Sequence, residues 1–236
     1  MNEVAITFDV DWAESGIISE TLEIVKEAKI KSTWFITHYS PAVVELMDNK
    51  LIEVGLHPNF LQGSTQGQTP VGVMNYLTKI CPKARSVRTH AMVYSSSIAR
   101  MFPLYNLTID SSICLFGAKQ VEPFVIRFPE GKKLIKMPYV WSDDGEMINS
   151  PEWKLPSLDE EGLKILCFHP IHIALNTCSW EQYLAFKAEY KQTRDLSTVR
   201  KFYQVSKYGA RNYLLDVMSL NFPFKKLSRI AGVYGL

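Results

Sequence analysis

The chain has four cysteines in 236 residues, at 81, 114, 167 and 178, and no two form a C-x-x-C pair. Each sits in or beside an apolar run, so they read as free buried thiols, and neither a disulfide framework nor a zinc–thiolate site is expected. No run approaches the roughly 20 apolar residues needed to span a bilayer, and the first residues lack the basic start and apolar core of a secretory signal. A cytoplasmic protein without a transmembrane segment is expected. No internal repeat and no linker-like stretch divides the chain, so residues 1–236 read as one domain. The net charge is only +2, and no nucleic-acid partner is expected. The charge is unevenly spread, however. Residues 180–236 hold ten Lys/Arg against four Asp/Glu. This helical, basic C-terminal part is a candidate for peripheral contact with an anionic carrier, against the plainer reading of a solvated helix face or a tail that packs back on its own domain.

What is present is a regular alternation. Strand-like runs at 3–10, 32–40, 51–59, 86–90 and 107–112 are separated by helical segments predicted at Ser19–Lys29 with Ser19 as N-cap, Pro41–Asn49, a segment ending at Ile80, and one from Ser95 to Phe102. A β-rich stretch follows over 121–129 and 133–144, then a late apolar strand over 163–175 and helices near 180–192 and 206–219. Strands alternating with helices of about ten residues predict βα units around a parallel sheet.

The polar residues fall at the ends of these strands. The first ends on Asp9 and Asp11, the third on His57, the fourth on Arg88 and His90, the fifth on Asp110, and the late one on His169 and His172. In parallel α/β folds the site is assembled at the carboxyl ends of the strands. Two carboxylates in close sequence resist ionising together unless a cation or proton sits between them. One carboxylate and two imidazoles suit a divalent transition metal, with positions left open for water and substrate. A second carboxylate then serves as base and a further histidine as acid. The pair at Asp143-Asp144 reads either as a turn, as a lining of a cleft, or as a partner for His169. Trp12, Tyr139 and Trp141 offer aromatic faces on which a substrate could stack, or are core.

Read in order, these segments resemble the polysaccharide deacetylase family (the NodB-homology group, carbohydrate esterase family 4) from residue 6 to about 175. T-F-D-V-D at 7–11 resembles the family's T-F-D-D motif with Val10 inserted. E-V-G-L-H-P-N-F at 53–60 resembles the segment that delivers a metal-binding histidine. V-R-T-H at 87–90 resembles the arginine motif, and C-F-H-P-I-H at 167–172 the L-H-P motif. Members linked to bacterial surface-polysaccharide synthesis that read F-D-V-D-W and H-P-N-F are the most similar. The resemblance implies an α/β fold, a distorted (β/α) barrel of about seven strands (NodB-like). It also implies removal of an acetyl group from an N-acetylated sugar in a glycan or its carrier-linked precursor, dependent on a divalent transition metal, zinc first. Asp9 would be the base, Arg88 its orienting partner, His169 the acid, and Asp11 and His57 metal ligands. The family's H-x-x-x-H motif is broken, since Leu61 stands four residues after His57. His90 is the first replacement, with Asn59 and His172 behind it. Trp12, Asn59, Tyr139, Trp141, Asp143 and His172 complete the candidate substrate-binding set. A non-catalytic sugar-binding or scaffold protein on the same fold and a deacylase of a non-sugar amide are the alternatives.

Overall fold

In β1 (Asn2–Asp9), Val4, Ile6 and Phe8 point to one face and Ala5, Thr7 and Asp9 to the other, and every one of them is buried. A strand buried on both faces belongs in the wall of a parallel barrel or a doubly covered sheet. The computed structural model, which describes residues 2–148, 152–155, 157–193, 196–220 and 222–234, shows the barrel. The chain continues through α1 (Ser15–Glu27), β2 (Ser32–Ile36), α2 (Pro41–Asp48), β3 (Ile52–Leu56), α3 (Pro70–Ile80), β4 (Ser86–Val87), α4 (Ser96–Met101) and β5 (Ile109–Asp110). After β5 come β6 (Phe124–Arg127), β7 (Lys133–Lys136), β8 (Trp141–Ser142), α5 (Asp143–Ile148) and β9 (Gly162–Phe168). The rest is helical: α6 (Pro170–Leu175), α7 (Trp180–Thr193), α8 (Leu196–Phe202), α9 (Ala210–Ser219) and α10 (Leu227–Ala231).

The nine strands among the described residues lie in the order β6-β7-β5-β4-β3-β2-β1-β9-β8, all parallel except β6. The circuit closes through the bent segment 133–142. Its first half pairs with β5, Tyr139 bridges Cys114, and Val140 donates to Ile165 of β9. Counted as staves, β7 and β8 are therefore one, and β6 is a hairpin arm outside the circuit. Seven staves remain, as the resemblance implies, and their shared direction gathers the carboxyl ends at one rim.

The two faces of the wall carry separate cores. Outward residues such as Ile6, Phe8, Trp34, Leu56 and Val87 pack under the helices, with Phe8 stacked on Trp34 at 4.2 Å between centroids. The barrel interior holds Ala5, Phe35, Ile109, Ile135 and Ile165, and α10 plugs it from below with Leu227 and Ile230. Gly55 sits where the wall is tightest. A Cβ there would lie 2.6 Å from Ser86 Oγ and 2.7 Å from the Phe35 ring, so only glycine lets that ring fill the interior.

Several boundaries differ from the sequence reading. Helix α1 begins at Ser15 with Glu14 as its N-cap, four residues before the expected Ser19. The apolar run 163–175 is a strand only to Phe168, after which Pro170 opens α6. Residues 143–144 open α5 instead of ending a strand, and the helix expected from 206 starts at Ala210. The basic C-terminal part packs back: the Lys225 N–H donates to Val4 O, and Lys225, Arg211 and Lys201 pair with Glu3, Glu20 and Glu189. Part of its charge is thus spent inside the molecule. All four cysteines are free, but only Cys81 and Cys167 are buried, Cys114 and Cys178 being partly exposed, and no helix among the described residues is long and apolar enough to cross a membrane.

Candidate active site

Alternation explains the two acids. Asp9 follows Ala5 and Thr7 on the inward face, while Val10 is buried outside and donates its N–H to Phe35 O at 3.0 Å. Asp11 then takes a left-handed conformation, φ 48°, which Asp tolerates better than most residues. The Thr37 hydroxyl donates to the Asp11 carbonyl and fixes that turn. Asp11 is thereby returned to the barrel mouth beside Asp9.

Three donor atoms converge there. Asp11 Oδ1 lies 3.1 Å from His57 Nε2 and 2.9 Å from His90 Nδ1, and the two nitrogens are 3.3 Å apart. Tetrahedral ligands about 2.0–2.1 Å from a zinc ion stand about 3.4 Å from one another. The carboxylate and two imidazoles are thus spaced to hold one such ion. Burial alone would raise the Asp11 pKa, but the bonds from His57 and His90 and the charge of His169 hold it well below the ordinary carboxylate value. The bond to Asp11 raises the His90 pKa, with burial opposing. The chain after His90 is strained: Ala91 and Met92 both have positive φ, 52° and 53°. Such conformations cost about 1–3 kcal/mol each and gather at functional sites.

Arg88 lies inside the barrel, 1% exposed, sandwiched between the Phe35 and Tyr139 rings at 4.5 and 4.6 Å. A buried guanidinium is tolerable only when its donors are used. Nη1 donates to Asp9 Oδ1 at 2.9 Å, to Thr7 Oγ1 at 2.9 Å and to Cys167 Sγ at 3.0 Å. Nε and Nη2 reach the Ser111 carbonyl and hydroxyl. One Asp9 oxygen is therefore committed to Arg88, and the other faces the cavity, 4.0 Å from His57 Nε2.

His169 follows β9, the strand paired beside β1, and a ring nitrogen of it lies within 4.8 Å of an Asp9 oxygen. Its backbone N–H and Nδ1 both donate to Asp143, at 2.8 and 2.6 Å, and its Nε2 faces Asp11 Oδ2 at 3.9 Å. Burial would lower the His169 pKa, but the Asp143 carboxylate overrides it and raises the value well above the ordinary one.

Residues 6–187 match the model of the WbmS-like polysaccharide deacetylases. The chain belongs to that family. Among solved structures it is similar to a Bordetella bronchiseptica protein described as a candidate polysaccharide deacetylase involved in O-antigen biosynthesis. The two share 27% identity with a TM-score of 0.82, over 94% of this chain and 91% of that one. A Mycobacterium smegmatis protein described in the same terms, though without the O-antigen link, shares 14% identity with a TM-score of 0.59, over 98% and 88% of the two chains. At 14% that likeness concerns the fold alone. No curated protein matches the sequence.

The family's second-histidine position, Leu61, is 46% exposed and turned outward, its N–H bonded to Asn59 Oδ1. His90 occupies the place beside Asp11 and His57 instead. Asp9, Asp11, His57, His90, Tyr139 and His169 share a cavity of about 360 Å³ with Asp144 and Met92. Trp12 and Asn59 line a neighbouring hollow of about 300 Å³ that shares Asp11 and His90 as its wall.

Three residues of the candidate substrate set do not face these spaces. Asp143 is fully buried beneath His169. Trp141 stacks on Tyr213 at 4.4 Å and donates to the Glu146 carboxylate, and it lines neither space. His172 lies on α6, its Nδ1 3.2 Å from the Thr177 hydroxyl and its ring edge-on to Tyr183, and burial lowers its pKa. The two acids of the 143–144 pair thus divide the roles considered for them: Asp143 grips the histidine and Asp144 lines the cavity. Thr7, Ser111 and Cys167 were missed as partners of Arg88. Thr7 and Cys167 each stand two residues before a named site residue, and i, i+2 spacing on a strand was the signal for both.

Proposed function

We propose that the protein is a metal-dependent deacetylase that removes the acetyl group from an N-acetylated sugar in a glycan or its carrier-linked precursor. The observation that carries this reading is the triangle of Asp11, His57 and His90 atoms, with the Arg88-bound Asp9 and the Asp143-bound His169 beside it. The Bordetella relative's link to O-antigen biosynthesis supports a surface-polysaccharide precursor as the substrate class.

Asp11, His57 and His90 would hold the ion. A divalent metal there, zinc first by its donor set, would polarise the acyl carbonyl and acidify water. Arg88 fixes the Asp9 carboxylate so that its free oxygen takes a proton from the attacking water. Asp143 fixes the His169 tautomer, with the proton on Nδ1 bonded to the carboxylate, and stabilises the protonated ring, whose Nε2–H is delivered to the departing amine. The C–N bond breaks, and acetate and a free amino sugar leave. Tyr139, Asp144, Trp12 and Asn59 are the groups available to the sugar.

The test is acetate release from N-acetyl hexosamines presented free, nucleotide-linked and lipid-linked, with zinc-loaded and chelator-stripped protein. Release that chelator abolishes and zinc restores supports the reading. Sugar binding without release leaves a binding protein on the same fold, and release from non-sugar amides alone moves the substrate class. The pH profile carries a further expectation. His169 acts protonated, so turnover falls as pH rises through its pKa. Asp143→Asn removes the charge that raises that pKa, and the alkaline limb of kcat should move to lower pH. The same sign holds for stability: the Asp143–His169 pair stabilises the fold at acid pH and loses that contribution as pH rises through the folded-state value. An unmoved alkaline limb in Asp143→Asn would rule out His169 as the acid.

A further inference from the structure

Histidines that bind metal usually donate their second ring nitrogen to a fixed partner, which sets the orientation of the ring. His57 lacks this device: its Nδ1 is buried and has no hydrogen-bond partner among the described residues. With Nδ1 unpartnered, the anchoring of its backbone takes a larger share in aiming the ring. The His57 N–H is held by Ile36 O at 2.8 Å. Its carbonyl is held by one side chain, Gln66, whose Nε2 donates to it at 3.1 Å.

Gln66 makes two more bonds and is 6% exposed. Nε2 also donates to Thr37 O at 3.0 Å, and Oε1 accepts from the Asn59 N–H at 2.7 Å. Thr37 is the residue whose hydroxyl fixes the Asp11 turn. Between His57 and Asn59 stands Pro58, whose carbonyl accepts the His90 N–H at 3.0 Å. One buried amide therefore braces the backbone beneath all three donors.

The local sequence makes this reach feasible. Ser64 Oγ accepts the Gln66 N–H. Gly67 lies so close to α3 that a Cβ would stand 2.9 Å from Gly72 C and Val73 N. Thr69 caps α3 through Gly72 N. The loop is thus pressed against the first turn of α3 with Gln66 directed inward.

We propose that Gln66 is a positioning residue for the metal centre, setting the presentation of His57 and the spacing of Asp11 and His90. The inference rests on the metal-dependent reading above. Gln66→Leu removes all three bonds at similar volume. Gln66→Glu keeps the acceptor for Asn59 but turns a carboxylate oxygen toward two carbonyls.

The test titrates Co²⁺ into chelator-stripped wild type and both variants, reading affinity and the visible spectrum of the bound ion, with melting of the metal-free proteins alongside. The expected result is an affinity about 10–100-fold weaker in both variants, the range for loss of an outer-shell partner. An altered Co²⁺ spectrum should accompany it while the metal-free fold is retained. If wild type binds Co²⁺ and the variants bind it equally with the same spectrum, the inference is overturned while the metal reading stands. Loss of the metal-free fold in both variants assigns Gln66 to stability and also overturns it. If wild type itself binds no Co²⁺, the metal reading fails and takes this inference with it.

Discussion

His90→Ala is expected to strip the metal while leaving the fold in place. Structural zinc sites bind with about 10–16 kcal/mol over four ligands, so one protein ligand is worth roughly 3–4 kcal/mol. Its loss should weaken binding about 10²–10³-fold. The fold should tolerate the change, because the His90 side chain is a third exposed and opens a single 3₁₀ turn outside the barrel wall, and substitutions at such surface positions usually change stability by less than about 1 kcal/mol. Equilibrium dialysis against Zn²⁺ with metal analysis reads the first effect, and urea unfolding of metal-free protein reads the second. Adding Leu61→His, which rebuilds the H-x-x-x-H spacing, should not rescue binding. Position 61 faces outward, and Asn59 and Gln66 hold the loop there. Metal retained by His90→Ala would transfer the third ligand to Asn59, since His172 is buried and engaged with Thr177.

How this centre was legible in the sequence follows from strand geometry. Side chains at i and i+2 share a face, so Asp9, His57, Arg88 and His169, each placed near the end of an apolar run, can be gathered at one rim from the sequence alone. The same rule does not reach Asp11, which leaves the strand and returns through a left-handed turn. There the T-F-D-V-D resemblance supplied what periodicity does not. Periodicity also failed at 170–175, because every residue of α6 is buried, and a helix covered on all sides shows no apolar stripe to separate it from a strand. Helix α1 was misplaced because Ser19 is a good cap by type, whereas Glu14 caps without a side-chain bond and is held from afar by the Tyr190 hydroxyl. Gln66 gave no signal. It lies in a loop of Gly, Ser, Thr and Gln, and its partners are backbone groups near the ends of two strands, which no local pattern encodes.

Asp9→Asn should cost about 10²–10⁴-fold in kcat, the usual contribution of a positioned general base, with metal content unchanged because Asp9 is not one of the three converging donors. It should also destabilise the fold by about 3–5 kcal/mol, since it leaves the Arg88 guanidinium buried without its counter-charge. The two effects have different origins and can be separated. Replacing a buried ion pair by neutral groups of similar volume is often close to neutral. Asp9→Asn with Arg88→Met should therefore recover part of the lost stability, the Ser111 carbonyl having lost its donor, and none of the lost turnover. Denaturant unfolding and single-turnover acetate release, measured on the same preparations at low temperature, read the two quantities independently. Turnover returning in step with stability would mean that Asp9 serves the fold and that another group takes the proton. Stability restored without turnover would mean that Arg88 is present to hold a carboxylate whose second oxygen does the chemistry.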